Sequence, residues 1–166
     1  MRATFKKYQP IIAVFVMTFL MAVSAAWAVV DWDLYSVLLL VETFIALTIC
    51  VLAILKLQDI QAFKEQFMKY DIVAQKFPIY ATIYPFAEAF VGIGLISALF
   101  APVTSTLAVI LGLIGSLSIV RVINNKEDLN CACVGGNSKV PLGFVSLFET
   151  ITMFVMGLWM LRGVLF

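Results

Sequence analysis

The sequence predicts an all-α, polytopic integral membrane protein with about five transmembrane helices. Four of these form a bundle core, and one amphipathic helix lies at the interface. Three observations carry this reading. The 166 residues are 63% hydrophobic, with a mean hydropathy of +1.07. Only 13% are charged, where a soluble domain carries about 25%. The apolar residues also fall in runs long enough to cross a hydrocarbon core, which takes about 20 helical residues. Composition excludes other classes as well. A net charge of +1, with no basic stripe, leaves no footprint for nucleic acid. Three cysteines without a histidine rule out a four-ligand zinc site made by the protein alone. The odd cysteine count argues against a disulfide scaffold, while soft-metal chemistry with two or three thiolates stays open.

The first element is a short basic tail, Met1 to Gln9, carrying Arg2, Lys6 and Lys7. Pro10 opens the first uncharged run, 11–30. Ala26-Trp27-Ala28 resembles a signal-peptidase site, but the apolar run is long for a signal sequence, so a retained helix is expected. Asp31-Trp32-Asp33 makes an acidic turn. The second span, 34–55, contains Glu42 and Cys50. Over 57–76 the character changes: Leu57, Ile60, Phe63, Phe67 and Tyr70 recur at helical spacing, opposite Lys56, Asp59, Lys64, Glu65 and Lys69. That pattern predicts an amphipathic helix on the membrane surface. The third span, 79–100, holds Pro85-Phe86-Ala87-Glu88 and the pair Gly92/Gly94. The fourth, 105–123, places Ala108, Gly112 and Ser116 four residues apart, a spacing that lets helices approach closely in lipid. Pro141 opens the fifth, 142–161, which carries Glu149 and Gly157 and ends at Arg162.

The orientation follows from the basic residues. In a five-span chain Arg2, Lys6, Lys7, Lys56, Lys64, Lys69, Lys76, Arg121, Lys126 and Lys139 fall on one side and Arg162 on the other. Positive charge marks the cytoplasmic side. The expected location is therefore a bacterial inner membrane, with the N-terminus cytoplasmic and the C-terminus periplasmic.

Two groups of residues stand out as chemistry. The first is Leu129-Asn130-Cys131-Ala132-Cys133-Val134-Gly135-Gly136-Asn137, a polar, thiol-bearing loop in an otherwise apolar chain. A Cys-x-Cys pair can cycle between dithiol and disulfide or hold a thiophilic metal. Thiols can also be ordinary small hydrophobes, though the flanking Lys126, Glu127, Asp128 and Asn130 fit that poorly. On the cytoplasmic side such a loop meets a reducing compartment, which argues against a permanent disulfide. The second group is Glu42, Glu88 and Glu149, one acid in each of three spans. An ionised group near the bilayer centre costs about 2.5–3.5 kcal/mol, so each needs a partner from the protein or a retained proton. The alternative for any one of them is a neutral acid tying helices together by hydrogen bonds. Cys50, alone in its span, reads as inert packing unless it faces the bundle, where it would join Cys131 and Cys133 on one path.

The order of Pro85-Phe86-Ala87-Glu88, Gly92-Ile93-Gly94-Leu95 and Asn130-Cys131-Ala132-Cys133-Val134-Gly135-Gly136 resembles the MauE (methylamine utilisation) family, a branch of the DoxX-like, redox-associated membrane proteins, over about residues 34 to 161. The resemblance implies maturation or disulfide handling of a partner protein, notably a methylamine dehydrogenase subunit. It carries Glu88, Cys131 and Cys133 over as site residues and does not supply Glu42, Cys50 or Glu149. Two functions follow as expectations. One is a thiol–disulfide oxidoreductase, with Cys131 and Cys133 exchanging a disulfide with a partner thiol or a quinone while Glu88 handles protons. The other is a carrier of a thiophilic ion, Cu(I) or Hg(II), held by Cys131, Cys133 and Cys50. A structural membrane chaperone with incidental thiols is the third.

Overall fold

The computed structural model describes residues 2–27, 34–98, 100–125, 129, 131 and 142–165. Its elements, in chain order, are α1 (Arg2–Trp27), α2 (Leu34–Gln58), α3 (Ile60–Phe67), α4 (Pro78–Ser97), α5 (Ala101–Asn124) and α6 (Phe144–Leu165). Five of the six are long and apolar enough to cross a membrane. The architecture is therefore the all-helical, polytopic one that composition predicts.

Helices α2, α4, α5 and α6 form the bundle: α2 packs on α4, α4 on α5, α5 on α6, and α6 returns to α2. Helix α1 rests on the outside, against α2. It is held there by a hydrogen bond between the hydroxyls of Thr18 and Thr48 (3.0 Å) and by Phe15 and Phe19 against the Phe44 ring. Lipid tails are as apolar as leucine, so helix association rests on close packing and on polar contacts of this kind.

Close packing is concentrated where glycines leave room. A β-carbon on Gly112 would lie 2.6 Å from the backbone nitrogen of Phe154, and one on Gly157 would lie 2.8 Å from the Ala108 β-carbon. The stripe Ala108–Gly112–Ser116 thus faces α6, and the Ser116 hydroxyl donates to Thr150 (3.2 Å). Between α4 and α5 the chain reverses through Ala98 and Phe100, both left-handed at φ 52°. Pro102 then occupies the first turn of α5, where no backbone N–H is required.

The segment between the second and third spans differs from expectation. Helix α2 runs a turn further, to Gln58, and the amphipathic helix is confined to Ile60–Phe67. Asp59 caps it by accepting from the Ala62 N–H (3.0 Å). Turns occupy 68–76, anchored by Asp71. The buried Asp71 carboxylate accepts from Val73 N–H (2.9 Å), Ala74 N–H (2.8 Å) and the Ser118 hydroxyl (3.2 Å). Burial pushes this carboxyl above the ordinary carboxylate range, and the three donors pull it part of the way back. The aromatic face of α3 turns inward: Phe63 and Phe67 are buried and pack their rings against Tyr84 of α4.

Candidate functional site

A buried ion cluster sits where α2, α4 and α6 meet. On α2, Ile49, Leu52, Ala53 and Lys56 recur at three- and four-residue spacing and are all buried, so Lys56 continues the inward stripe. On α4 the inward stripe is Ala81, Tyr84, Pro85, Glu88, Val91, Gly92 and Leu95. On α6, Ser146, Glu149, Thr150 and Met153 face inward. The three stripes bring one ammonium to two carboxyl groups. Lys56 Nζ donates to Glu88 Oε1 (2.6 Å), Glu88 Oε2 (2.8 Å) and Glu149 Oε1 (2.6 Å). Lys56 is 3% exposed and Glu88 is fully buried.

Lys56 is a correction. The sequence pattern set it among the solvent-facing charges of the surface helix, and the charge count used it as a cytoplasmic marker. The structure buries it, because the extra turn of α2 carries it over Glu88. Nine other basic residues stand in the segments that the charge count assigns to that side. Glu149 is the second residue that the family resemblance did not supply. Glu42 takes no part: it is half-buried on α2 and joins no ion pair among the described residues.

The aromatic face of α3 closes the cluster on one side. Lys56 Nζ lies 5.5 Å from the centre of the Tyr84 ring, within cation–π range. Tyr84 packs in turn against Phe67, with ring centres 4.6 Å apart. Beside the ions is a cavity of about 10 Å³ lined by Lys56, Tyr84, Ser146, Glu149 and Thr150 together with the α3 rings. That is the room of about one water molecule.

Cys131 reaches this cavity through Ser146. It is fully buried, and the Ser146 hydroxyl donates to its Sγ (2.8 Å). Ser146 stands one helical turn before Glu149 and Thr150. The peptides that flank the loop are joined as well, Leu142 N–H donating to the Leu129 carbonyl (2.7 Å). Cys133 and the Gly135-Gly136 pair lie outside the described residues, as do Asp31, Lys126 and Lys139. Cys50 turns toward α4, where a β-carbon on Gly92 would lie 2.5 Å from its Sγ. Among the described residues, no three Cys, Asp or Glu side chains gather in a metal-holding group.

Chemically, the arrangement combines a thiol held by a hydroxyl, a charged triad sealed from lipid, and a water-sized space between them. The sequence signal for Lys56 was present in the three- and four-residue spacing from Ile49, and in three intramembrane acids that lacked a counter-charge.

Residues 34–163 match the family model described as Methylamine utilisation protein MauE, a match that begins at α2 and leaves α1 outside it. No curated protein and no solved structure matches the chain.

Proposed function

Since the chain belongs to the MauE family, we propose that it is a membrane thiol–disulfide exchanger acting on a partner protein through Cys131 and Cys133. The observation that carries this reading is the Ser146–Cys131 contact. A hydroxyl donating to sulfur at 2.8 Å favours the thiolate, the form that attacks a disulfide. A merely space-filling thiol has no need of that contact.

The burial of Cys131 supports a division of labour. A sulfur with no exposed surface does not meet a partner's sulfur first. Cys133 is then the thiol that forms the mixed disulfide, and Cys131 resolves it. Attack by Cys133 on a partner disulfide forms one S–S bond and expels one partner thiolate. Attack by Cys131 on Cys133 forms the Cys131–Cys133 bond and expels the second. Two electrons pass from the loop to the partner, and the reverse sequence oxidises a partner dithiol. The basic residues at the α3 end support a cytoplasmic position for the loop in a bacterial inner membrane.

The test counts free thiols in purified full-length protein, with and without reductant, in the parent and in Cys50→Ser, Cys131→Ser and Cys133→Ser. The expected result is a reversible change of two thiols in the parent and in Cys50→Ser, lost in both loop variants. Cys131→Ser should also hold a small thiol as a stable mixed disulfide. Thiols that stay reduced throughout, with one equivalent of Cu(I) bound and lost in Cys50→Ser, would favour the ion-carrier function instead.

A further inference from the structure

We infer that Glu149 is a proton-binding residue: at neutral pH it carries a proton, Glu88 is the ionised counter-ion of Lys56, and the proton exchanges with water in the cavities beside Glu149. This role belongs to the bundle itself and is independent of the exchange reaction proposed above.

Two carboxyl groups meet one ammonium, with an oxygen of each 2.6 Å from the same nitrogen. Glu88 is fully buried and Glu149 is 5% exposed. Two carboxylates sharing one buried site do not both ionise readily. The other titratable groups around them, among the described residues, bring phenols, thiols and a third acid rather than a cation. They are Cys50 on α2, Tyr80 and Tyr84 on α4, Tyr70 and Asp71 after α3, and Cys131 before α6. Helix α5 brings Gly115 and Ile119, and α1 brings the Phe15 ring, none of which titrates. One ammonium and one proton thus serve the two acids.

The contacts divide the roles between them. An ammonium has three hydrogens, and here they meet Glu88 Oε1 (2.6 Å), Glu88 Oε2 (2.8 Å) and Glu149 Oε1 (2.6 Å). Glu88 presents both oxygens as acceptors, the arrangement of an ionised carboxylate. Glu149 meets the ammonium through Oε1. A neutral carboxyl makes that contact with its carbonyl oxygen and keeps its proton on the other oxygen, Oε2.

Glu149 also borders two cavities, each of about 10 Å³, the room of about one water molecule. One lies under the α3 rings, where Ser146 and Thr150 supply hydroxyls. The other lies between α1, α2 and α6, where Thr48 and Thr152 supply them. Lys56 borders the first cavity, and Glu88 borders neither. The carboxyl and the hydroxyls together are enough polar partners to hold a buried water. The acid that water can reach is therefore the acid that holds the proton. Release sends that proton to a cavity water and leaves Glu149 ionised beside Glu88, with Lys56 shared between them. Uptake reverses the step, and no electron moves.

The experiment uses full-length protein purified in detergent at neutral pH, in an Asp71→Asn background that removes the remaining buried acid of the described residues. It reads the infrared carbonyl stretch of protonated carboxylic acids. This protein should show the band, and adding Glu149→Gln should remove it from a folded protein, because an amide keeps a neutral donor and acceptor in place. Glu88→Gln should remove it as well, since Glu149 then becomes the counter-ion of Lys56. Lys56→Met should raise it about twofold, since both acids then stay neutral. On transfer to D2O the band should shift to lower frequency while the helix amides remain unexchanged, since those amides exchange only when the bundle opens. A protein without a band that Glu149→Gln removes overturns the inference, because both acids are then ionised. A band that shifts only together with the helix amides overturns it too, because the proton is then sealed in as a tie between helices. If Glu149→Gln fails to fold, Glu88→Gln decides in its place, and a band kept there at full size overturns the inference. The D2O measurement needs no variant of the cluster and stands whichever of them fold.

Discussion

The α5–α6 seam and the α2–α4–α6 seam join the same bundle by opposite means. Along α5 and α6, Gly112 lies against the Phe154 backbone and Gly157 against Ala108, with hydroxyls of Ser116 and Thr150 between them. This contact is made of small groups and dispersion, the cheapest way to hold helices together in lipid. Along the other seam a lysine and two glutamates are sealed from solvent. Removing ionised groups from water costs several kcal/mol each, and their mutual attraction returns the cost only when geometry is good. A chain able to build the first seam had no need of the second for stability alone. The difference teaches where to look for function: at the seam that is expensive.

The largest expected effect breaks the expensive seam. Lys56→Met leaves two carboxyl groups without their ammonium and should destabilise the protein by about 3–5 kcal/mol, read as a fall in the thermal midpoint in detergent. The triple variant Lys56→Met, Glu88→Leu, Glu149→Leu should recover the parent's stability or exceed it by about 1–4 kcal/mol, because a packed apolar seam suits this setting. An unmoved midpoint in Lys56→Met would show that the ion cluster does not hold the helices.

Next comes the cheap seam. Gly112→Ala drives a methyl against the backbone nitrogen of Phe154 at 2.6 Å, and backbone yields only if α6 moves. The cost should be about 1–3 kcal/mol. Gly92→Ala sharpens the comparison on the other side, since its nearest obstacle is the Cys50 sulfur at 2.5 Å. Most of its smaller cost should vanish when Cys50→Ala is added, a coupling that a double-mutant cycle measures. The nearest atom to Gly112 is the Phe154 backbone nitrogen, which no substitution removes, so its cost should persist.

The smallest effect tests the polar anchor of the turns after α3. Because burial, the largest influence, holds the Asp71 carboxyl above the ordinary range, the folded chain binds its proton more tightly than the unfolded chain. The sign follows from linkage: Asp71 favours folding most at low pH, and stability falls as pH rises from the ordinary carboxylate value through the raised one. Asp71→Asn keeps an acceptor for Val73 and Ala74 and removes the charge. It should flatten that pH dependence by under about 1 kcal/mol. A stability profile that stays as steep as the parent's would assign the slope to another group.

The five long helices were legible because length and apolarity alone specify a span. Glu88 was legible as an acid where none is expected, and Gly112 by its place in the four-residue stripe of small residues. Lys56 was hidden for two reasons. Its partners lie 32 and 93 residues away along the chain, a distance no local pattern spans. It also stands where α2 was expected to end, so its charge matched the rule for cytoplasmic flanks better than the rule for buried stripes. The amphipathic pattern after it was correct about the aromatic face of α3. What it did not reveal was that this face turns onto Tyr84 and Lys56 in the bundle. The Cys131–Ser146 contact was hidden because loop and helix positions have no shared period.

The hydrogen bond from Leu142 to Leu129 has an evolutionary consequence. It ties together the two ends of the segment that carries Cys131. Lengthening such an insert costs little, about 0.6 kcal/mol for each doubling, and it need not disturb the helices below. Residues can therefore be added between Cys131 and Leu142 at small cost while Cys131 keeps its contact with Ser146. The length of that stretch is thus a free variable of the chain, separate from the packing of its helices.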